Sequence, residues 1–207
     1  MIREEMGMKL YYVPKTRASR PRWVLEELGV PYELVRLDPA KGETRTPEHL
    51  GRQPLGHVPV LEDGETSVFE SSAICLYLAE RFPEKGLLPP PGTAERGLVY
   101  QWLFFAMTEL EPPLSALSAE ARRPEPERNV AVAADARERI RKAAGALEPV
   151  LAHRRWLLGA GFTVADVVVG AVLAWARSAR ALEGLPAVEA YLARLRERPA
   201  WTRATAD

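Results

Sequence analysis

The chain has one cysteine, three histidines and no excess of either charge, and each shortage excludes a class of function. A lone thiol, Cys75, can form neither an intramolecular disulfide nor a Cys-x-x-Cys redox pair. Three scattered histidines and one cysteine supply no metal-ligand spacing, so no metal is expected. Lys+Arg and Asp+Glu number 28 each, which argues against nucleic acid as a partner, since that would favour a basic patch. No apolar run reaches the roughly 18 residues of a membrane span, so no membrane partner is expected. The opening Met-Ile-Arg-Glu-Glu-Met-Gly lacks an apolar signal region. The expectation is a cytoplasmic enzyme or binding protein.

The 207 residues suffice for one large domain or two small ones with their own cores. Lys9–Val13 reads as a strand, Pro21–Leu28 as a helix closed by Gly29 and Pro31, and Tyr32–Leu37 as a second strand. A helix opening near Ser71 carries Ile74, Leu76, Tyr77 and Leu78 and ends before Pro83. Pro83–Pro91 is rich in proline and glycine and marks a connection between domains. From about Thr93 the pattern is helical. Glu95–Glu111 is expected to be stopped by Pro112-Pro113, and Glu125–Leu151 to form another helix. Thr163 and Asp166 have the spacing of a capping box, with Phe162 and Val167 as the accompanying staple. The helix beyond is almost wholly apolar through Ala176 and should lie centrally. Val188, Tyr191, Leu192 and Leu195 mark a last amphipathic helix. The expected organisation is an α/β domain over 1–83, with 1–7 as an extension, a linker over 84–93 and an all-α domain over 94–207.

The stretch from Gln53 to Ile74 carries the chemistry. Val58-Pro59-Val60-Leu61 is a short apolar strand entered through a proline, Asp63-Gly64 signals a hairpin, and Ser67-Val68-Phe69 returns as its partner. With the strand–helix–strand before it, this completes a thioredoxin-like unit. Proline has no N–H, so the segment before Pro59 cannot pair fully within its own sheet. Val58 then offers its N–H and C=O to an extended ligand. The helix start near Ser71 offers orphan N–H groups to a carboxylate, and Glu70 beside it suits an ammonium. Those demands describe the γ-glutamyl end of glutathione.

Gln53-Pro-Leu-Gly-His-Val-Pro-Val-Leu61 followed by Glu70-Ser-Ser-Ala-Ile74 resembles the glutathione-binding signature of cytosolic glutathione transferases. The Thr163-Val-Ala-Asp166 box and Glu197-Arg-Pro-Ala-Trp201 resemble the helical domain of the same family, so the resemblance runs from Met8 to Trp201. It implies a thioredoxin-like domain with a mixed four-stranded sheet, then an all-α domain. It implies a cis Pro59, main-chain bonds from Val58 to the cysteinyl part of glutathione, and a γ-glutamyl group held by Glu70 and Ser71. Arg45 resembles the position that pairs with the glycyl carboxylate, and His57 is placed to contact the same group. Glutathione is then the co-substrate, a small hydrophobic electrophile the acceptor, detoxification the role and a homodimer the assembly. Tyr100, Phe104, Phe105 and Met107 are candidates to line the acceptor pocket.

Such a transferase needs one donor that favours the thiolate, between the first strand and first helix. Pro21 tolerates only the first turn of a helix, which puts the helix start near Ser19 and assigns the Ser19 hydroxyl to capping. Thr16 then lies just outside the helix with its hydroxyl free for sulfur, and Arg17 adds positive field. The family pattern is not followed throughout. Counting back from Leu25-Glu26-Glu27 places Lys15, rather than a hydroxyl, at the serine position, and Thr16 needs a shift of one residue. Tyrosine-type members match Tyr12 or Tyr11, and no cysteine stands at the cysteine-type position. Thr16, Tyr12 (or Tyr11) and Ser19 therefore stay open as activating residues. Two rival functions also stay open: a non-catalytic binding or interaction protein, and a glutathione-dependent isomerase or reductase.

Overall fold

The computed structural model describes residues 7–159 and 161–207. The expected N-terminal extension lies outside these, apart from Gly7. The described chain forms two compact units: one through Leu88 together with Arg198–Asp207, the other Pro89–Glu197.

The first unit is built on β1 (Met8–Tyr12), α1 (Ser19–Leu28), β2 (Tyr32–Arg36), α2 (Pro47–Arg52), β3 (Val60–Asp63), β4 (Thr66–Phe69) and α3 (Ser71–Arg81). The sheet order is β2-β1-β3-β4. β1 runs parallel to β2, with Tyr12 opposite Arg36, and antiparallel to β3, with Tyr11 opposite Val60. β3 and β4 form the expected hairpin, Asp63 opposite Thr66 across Gly64-Glu65. The expected strand from Val58 begins instead at Val60, because Pro59 has no N–H for the ladder. Leu10, Leu25, Leu61, Ile74 and Leu78 are fully buried in this unit's core. Gly29 closes α1 in a left-handed conformation (φ 66°), as the sequence predicts.

Helix α10 (Pro199–Ala204) belongs to this unit, which corrects the expectation that residues 94–207 all join the helical domain. The cause is side-chain chemistry on α1. Trp201 packs edge-to-face on Trp23 at 4.7 Å, Arg198 grips Glu27 with two bonds of 2.6 and 2.7 Å, and Arg203 pairs with Glu26.

The second unit contains α4 (Ala94–Phe105), α5 (Glu111–Arg122), α6 (Val130–Gly145), α7 (Glu148–Leu151), α8 (Val164–Ser178) and α9 (Pro186–Arg196). Pro112-Pro113 does not end a helix here. Both prolines sit in the first turn of α5, and the last N–H before them, from Glu111, reaches back five residues to the Ala106 carbonyl across a π turn at Ala106–Leu110. The widened turn absorbs two residues that cannot donate. The single helix expected over Glu125–Leu151 is broken into a short 3-10 turn, α6 and α7. Asn129 caps α6 through the N–H groups of Ala131 and Val132.

α8 follows the sequence reading closely. Every residue from Val164 to Gly170 is buried, and Thr163 with Asp166 forms the capping box. Asp166 is fully buried and accepts from the Leu157 and Thr163 N–H groups at 2.9 Å, the Thr163 hydroxyl at 3.0 Å and the Tyr191 hydroxyl at 2.9 Å. Phe162 packs edge-to-face on Trp156. Among the described residues, no helix is long and apolar enough to cross a membrane, and no group of His, Cys, Asp and Glu could hold a metal ion.

Candidate functional site

The strand pairing gathers the sequence motifs at one end of the sheet's strands. Val60 pairs with both Tyr11 and Phe69, and Tyr12 pairs with Arg36. The residues that follow or precede these are therefore neighbours at the same end: Leu37, Val13, Val58-Pro59 and Glu70. Thr16 lies on the loop that leaves this end from β1, and Ser71 opens α3 beside it.

The Val58–Pro59 peptide bond is cis. The ladder starts at Val60, and the Val58 main chain has no hydrogen-bond partner among the described residues. The loop before it is held by Gln53, a buried residue whose side-chain oxygen accepts from the N–H groups of Leu55 (2.7 Å) and His57 (3.0 Å). His49 Nε2 lies 2.9 Å from the His57 carbonyl. Arg45 Nη1 donates to the Leu55 carbonyl at 2.9 Å, which places this arginine against the same loop. Gly56 is left-handed (φ 64°), and a Cβ there would meet the Thr44 carbonyl oxygen at 2.5 Å, so only glycine allows this close approach. The His57 side chain is exposed.

Glu70 is the N-cap of α3 with φ 69°, an uncommon conformation for a residue with a side chain. Its carboxylate makes no capping bond and has no partner among the described residues, so it stands open to a cation. Ser71 is the first helical residue rather than the cap itself. Its hydroxyl is buried and accepts from Arg20 Nη1 at 3.1 Å. Arg20 is itself only 3% exposed and sets a guanidinium behind the positive end of α3. The next hydroxyl, Ser72 Oγ, is buried without a partner. Sequence reasoning missed Arg20 and Gln53, because nothing local marks an arginine in a first helical turn or a glutamine before proline as buried.

The loop from Val13 to Ala18 carries the candidate donors. Lys15 takes a left-handed backbone (φ 58°) and is exposed. Thr16, half-buried, donates its hydroxyl to the Val13 carbonyl at 2.6 Å and accepts weakly from the Ala18 N–H at 3.4 Å. The Ser19 expectation needs correction. Ala18 is the N-cap of α1 and already helical (φ −63°, ψ −19°), and no side chain caps this helix. Ser19 is one residue too far in, since capping needs an extended backbone at the capping residue. Both tyrosine hydroxyls are engaged elsewhere. Tyr11 donates to Glu62 at 2.6 Å beneath Arg52, and Tyr12 donates to Asp207 at 2.8 Å. Burial and the Glu62 bond push the Tyr11 phenol up to about 12, and burial and the Asp207 bond likewise raise that of Tyr12. Cys75 is fully buried in α3, and burial pushes its thiol up to about 12, far from a reactive thiolate.

An open cleft of about 430 Å³ lies beside the same loop, lined by Val13, Pro14, Leu37 and Pro39 with two cations, Arg36 and Lys41, and two carboxylates, Asp38 and Glu43. In the second unit, Tyr100 and Phe104 lie one turn apart on α4, and Met107 follows in the π turn. Phe104 is 68% exposed, whereas the Tyr100 hydroxyl accepts from Arg96 Nε at 2.6 Å. Phe105 packs edge-to-face on Trp102 at 5.6 Å.

Both units are similar to known proteins. The glutathione S-transferase N-terminal domain family matches residues 6–80, and the glutathione S-transferase C-terminal domain family matches residues 129–194. Glutathione S-transferase 4 of Zea mays is 36% identical over 188 residues, covering 88% of this chain and 84% of its own. The chain belongs to the glutathione S-transferase family. Glutathione S-transferase F10 of Arabidopsis thaliana is 45% identical over a shorter stretch of 109 residues, which spans 52% of this chain and 51% of that one. The transferase URE2P6 from Phanerochaete chrysosporium, solved in complex with oxidized glutathione, superposes with a TM-score of 0.86 at 31% identity, covering 96% of this chain and 94% of that one.

Proposed function

We propose that this glutathione transferase lays glutathione across the strand ends from α3 to the β1–α1 loop and activates its thiol with Thr16. The observation that carries the reading is the unpaired Val58 main chain ahead of Pro59, with Glu70 and Ser71 on one side and Thr16 on the other. The γ-glutamyl carboxylate takes the orphan N–H groups of α3 and the Ser71 hydroxyl, backed by Arg20, and the ammonium pairs with Glu70. The cysteinyl unit pairs with Val58 as an added strand. Arg45 and His57 flank the glycyl carboxylate. On binding, the Thr16 hydroxyl turns from the Val13 carbonyl to the sulfur, a favourable exchange because a bond to an anion is about twice as strong. The thiol proton leaves to solvent, and the thiolate attacks an electrophilic carbon of a small hydrophobic acceptor, displacing its leaving group. Each unit by which the thiol pKa falls stabilises the thiolate by about 1.4 kcal/mol. Tyr100, Phe104, Phe105 and Met107 are the acceptor-binding candidates of the helical unit.

Glutathione is expected to raise the melting temperature and to retain the protein on glutathione resin. Glu70→Ala and Ser71→Ala should each weaken binding by about 1–3 kcal/mol, the scale for removing a partner of a charged group. Calorimetric titration of the wild type showing no binding at millimolar glutathione would refute the site.

The assembly proposed is a homodimer in which the thioredoxin-like unit of one chain faces the helical unit of the other. Leu55 and Phe69 on the first unit and Leu98 on the second are large apolar side chains at 61%, 40% and 39% exposure, as such a contact requires. Light scattering at micromolar concentration should give twice the chain mass, and a monomer mass would contradict the proposal.

A further inference from the structure

The loop that carries Thr16 is anchored at both ends by one carboxylate from the far end of the chain. Asp207 Oδ2 accepts from the Tyr12 hydroxyl at 2.8 Å, and Asp207 Oδ1 pairs with Arg22. Tyr12 is the last residue of β1, and Arg22 lies in the first turns of α1. Within Val13–Ala18, the six residues between strand and helix, the Thr16 hydroxyl bonds the Val13 carbonyl and accepts from the Ala18 N–H, and turn bonds of 3.2 Å run from Ser19 and Arg20 to Thr16 and Arg17. Two features mark this bridge as more than a surface ion pair. The Tyr12 side chain is buried, so its hydroxyl has few partners besides Asp207, and the Arg22 side chain is only 14% exposed. Arg22 Nε is buried with no partner, and the guanidinium is held by its Nη1 bond to Asp207 together with a side-chain bond to Tyr32 on β2. The hydrogen bond from Tyr12 and the pairing with Arg22 both hold the Asp207 carboxyl below the usual carboxylate range.

We infer that Asp207 is a positioning residue for thiol activation: by tying the end of β1 to α1, it sets the loop geometry that aims the Thr16 hydroxyl at sulfur. The inference rests on the Thr16 reading above. It separates two roles of the same C-terminal segment. Arg198, Trp201 and Arg203 attach α10 to the outer face of α1, which is a matter of stability. Asp207 alone reaches Tyr12, at the mouth of the loop. Hydrogen-bond geometry at a reacting atom is sensitive to shifts of about an ångström, which cost up to about a hundredfold in rate. The loss should therefore fall on turnover rather than on glutathione affinity, because Val58, Glu70 and Ser71 lie on other elements.

The test compares Asp207→Ala and Tyr12→Phe with Arg198→Gln, which loosens the same helix without touching the bridge. Three readouts are taken on each: melting temperature, glutathione affinity, and the pKa of the bound thiol from thiolate absorbance against pH. Asp207→Ala and Tyr12→Phe are expected to raise the bound thiol pKa and lower kcat by about five- to tenfold, with glutathione affinity within about twofold. Asp207→Asn, which keeps an acceptor for Tyr12, should recover part of the loss. Arg198→Gln should lower the melting temperature and leave the thiol pKa where it was. The inference is overturned if Arg198→Gln shifts the thiol pKa as much as Asp207→Ala does, or if neither bridge variant shifts it. Should Asp207→Ala fail to fold, Tyr12→Phe decides alone, since it removes one oxygen and no volume. Failure of the underlying reading looks different: the wild type then binds no glutathione, or Thr16→Val leaves the thiol pKa unchanged.

Discussion

Thr16→Val is expected to leave glutathione bound and to slow its conjugation by about a hundredfold, the cost of losing one donor aimed at developing charge. Valine keeps the branched shape, so the half-buried side chain still fills its place between Val13 and Ala18. What disappears is one O–H. In the ground state that group matters little, because a neutral thiol is a poor acceptor. In the thiolate and the transition state it matters most. The signature is a raised pKa of the bound thiol and a lowered kcat with glutathione affinity nearly unchanged. Tyr12 and Ser19 are the internal controls. Ser19 caps nothing, so Ser19→Ala should change stability by no more than about 0.5 kcal/mol, as surface substitutions do. The Tyr12 hydroxyl already donates to Asp207, so Tyr12→Phe acts through the loop and its effect should be much smaller than that of Thr16→Val. If Thr16→Val leaves the thiol pKa unchanged while Ser19→Ala raises it, or if Tyr12→Phe raises it as far, the donor has been misassigned.

The largest stability loss should come from Asp166→Ala, about 3–5 kcal/mol, from a residue remote in sequence from every glutathione-binding candidate. This carboxylate sits at zero exposure and satisfies four donors at once, two of them main-chain N–H groups. Alanine strands the two main-chain N–H groups and the Thr163 hydroxyl in a dry interior and leaves the Tyr191 hydroxyl only its long 3.4 Å contact with the residue 166 carbonyl. It also removes half of the capping box at the start of α8, the most thoroughly buried helix of the second unit. Tyr191 loses the shorter of its two bonds to residue 166 and, through it, part of the hold of α9 on α8. Asp166→Asn should recover only part of the loss, since its amide hydrogens face groups that are themselves donors. Urea unfolding at fixed protein concentration measures the difference. A change below about 1 kcal/mol would mean that relaxation or water satisfies these donors. Glutathione titration of the folded fraction should still saturate, because Val58, Glu70 and Ser71 belong to the other unit.

Much of this protein was legible one short window at a time. The hairpin at Asp63–Thr66, the helix stop at Gly29, the Thr163–Asp166 box and the apolar run of α8 all follow from sterics and hydrogen bonds within about four residues. The motif around Val58, Pro59, Glu70 and Ser71 was legible for the same reason: its elements are strand, turn and helix start in immediate succession. Tertiary packing decided what each side chain meets. The Tyr12 hydroxyl looked available until Asp207, 195 residues away, was brought beside it. Ser19 looked like a cap until Ala18 proved helical and took the position. Pro112-Pro113 looked like a stop until a π turn at Ala106–Leu110 carried the chain past them. Arg20 carried no local signal of burial, yet folding set it 3.1 Å from Ser71, and the last ten residues read as part of the helical unit until Trp201 found Trp23. A residue pattern constrains the backbone of its own segment. The partner of a buried hydroxyl or guanidinium is whichever distant group packing delivers, because leaving such a group unpaired costs more than the local preference that packing overrides.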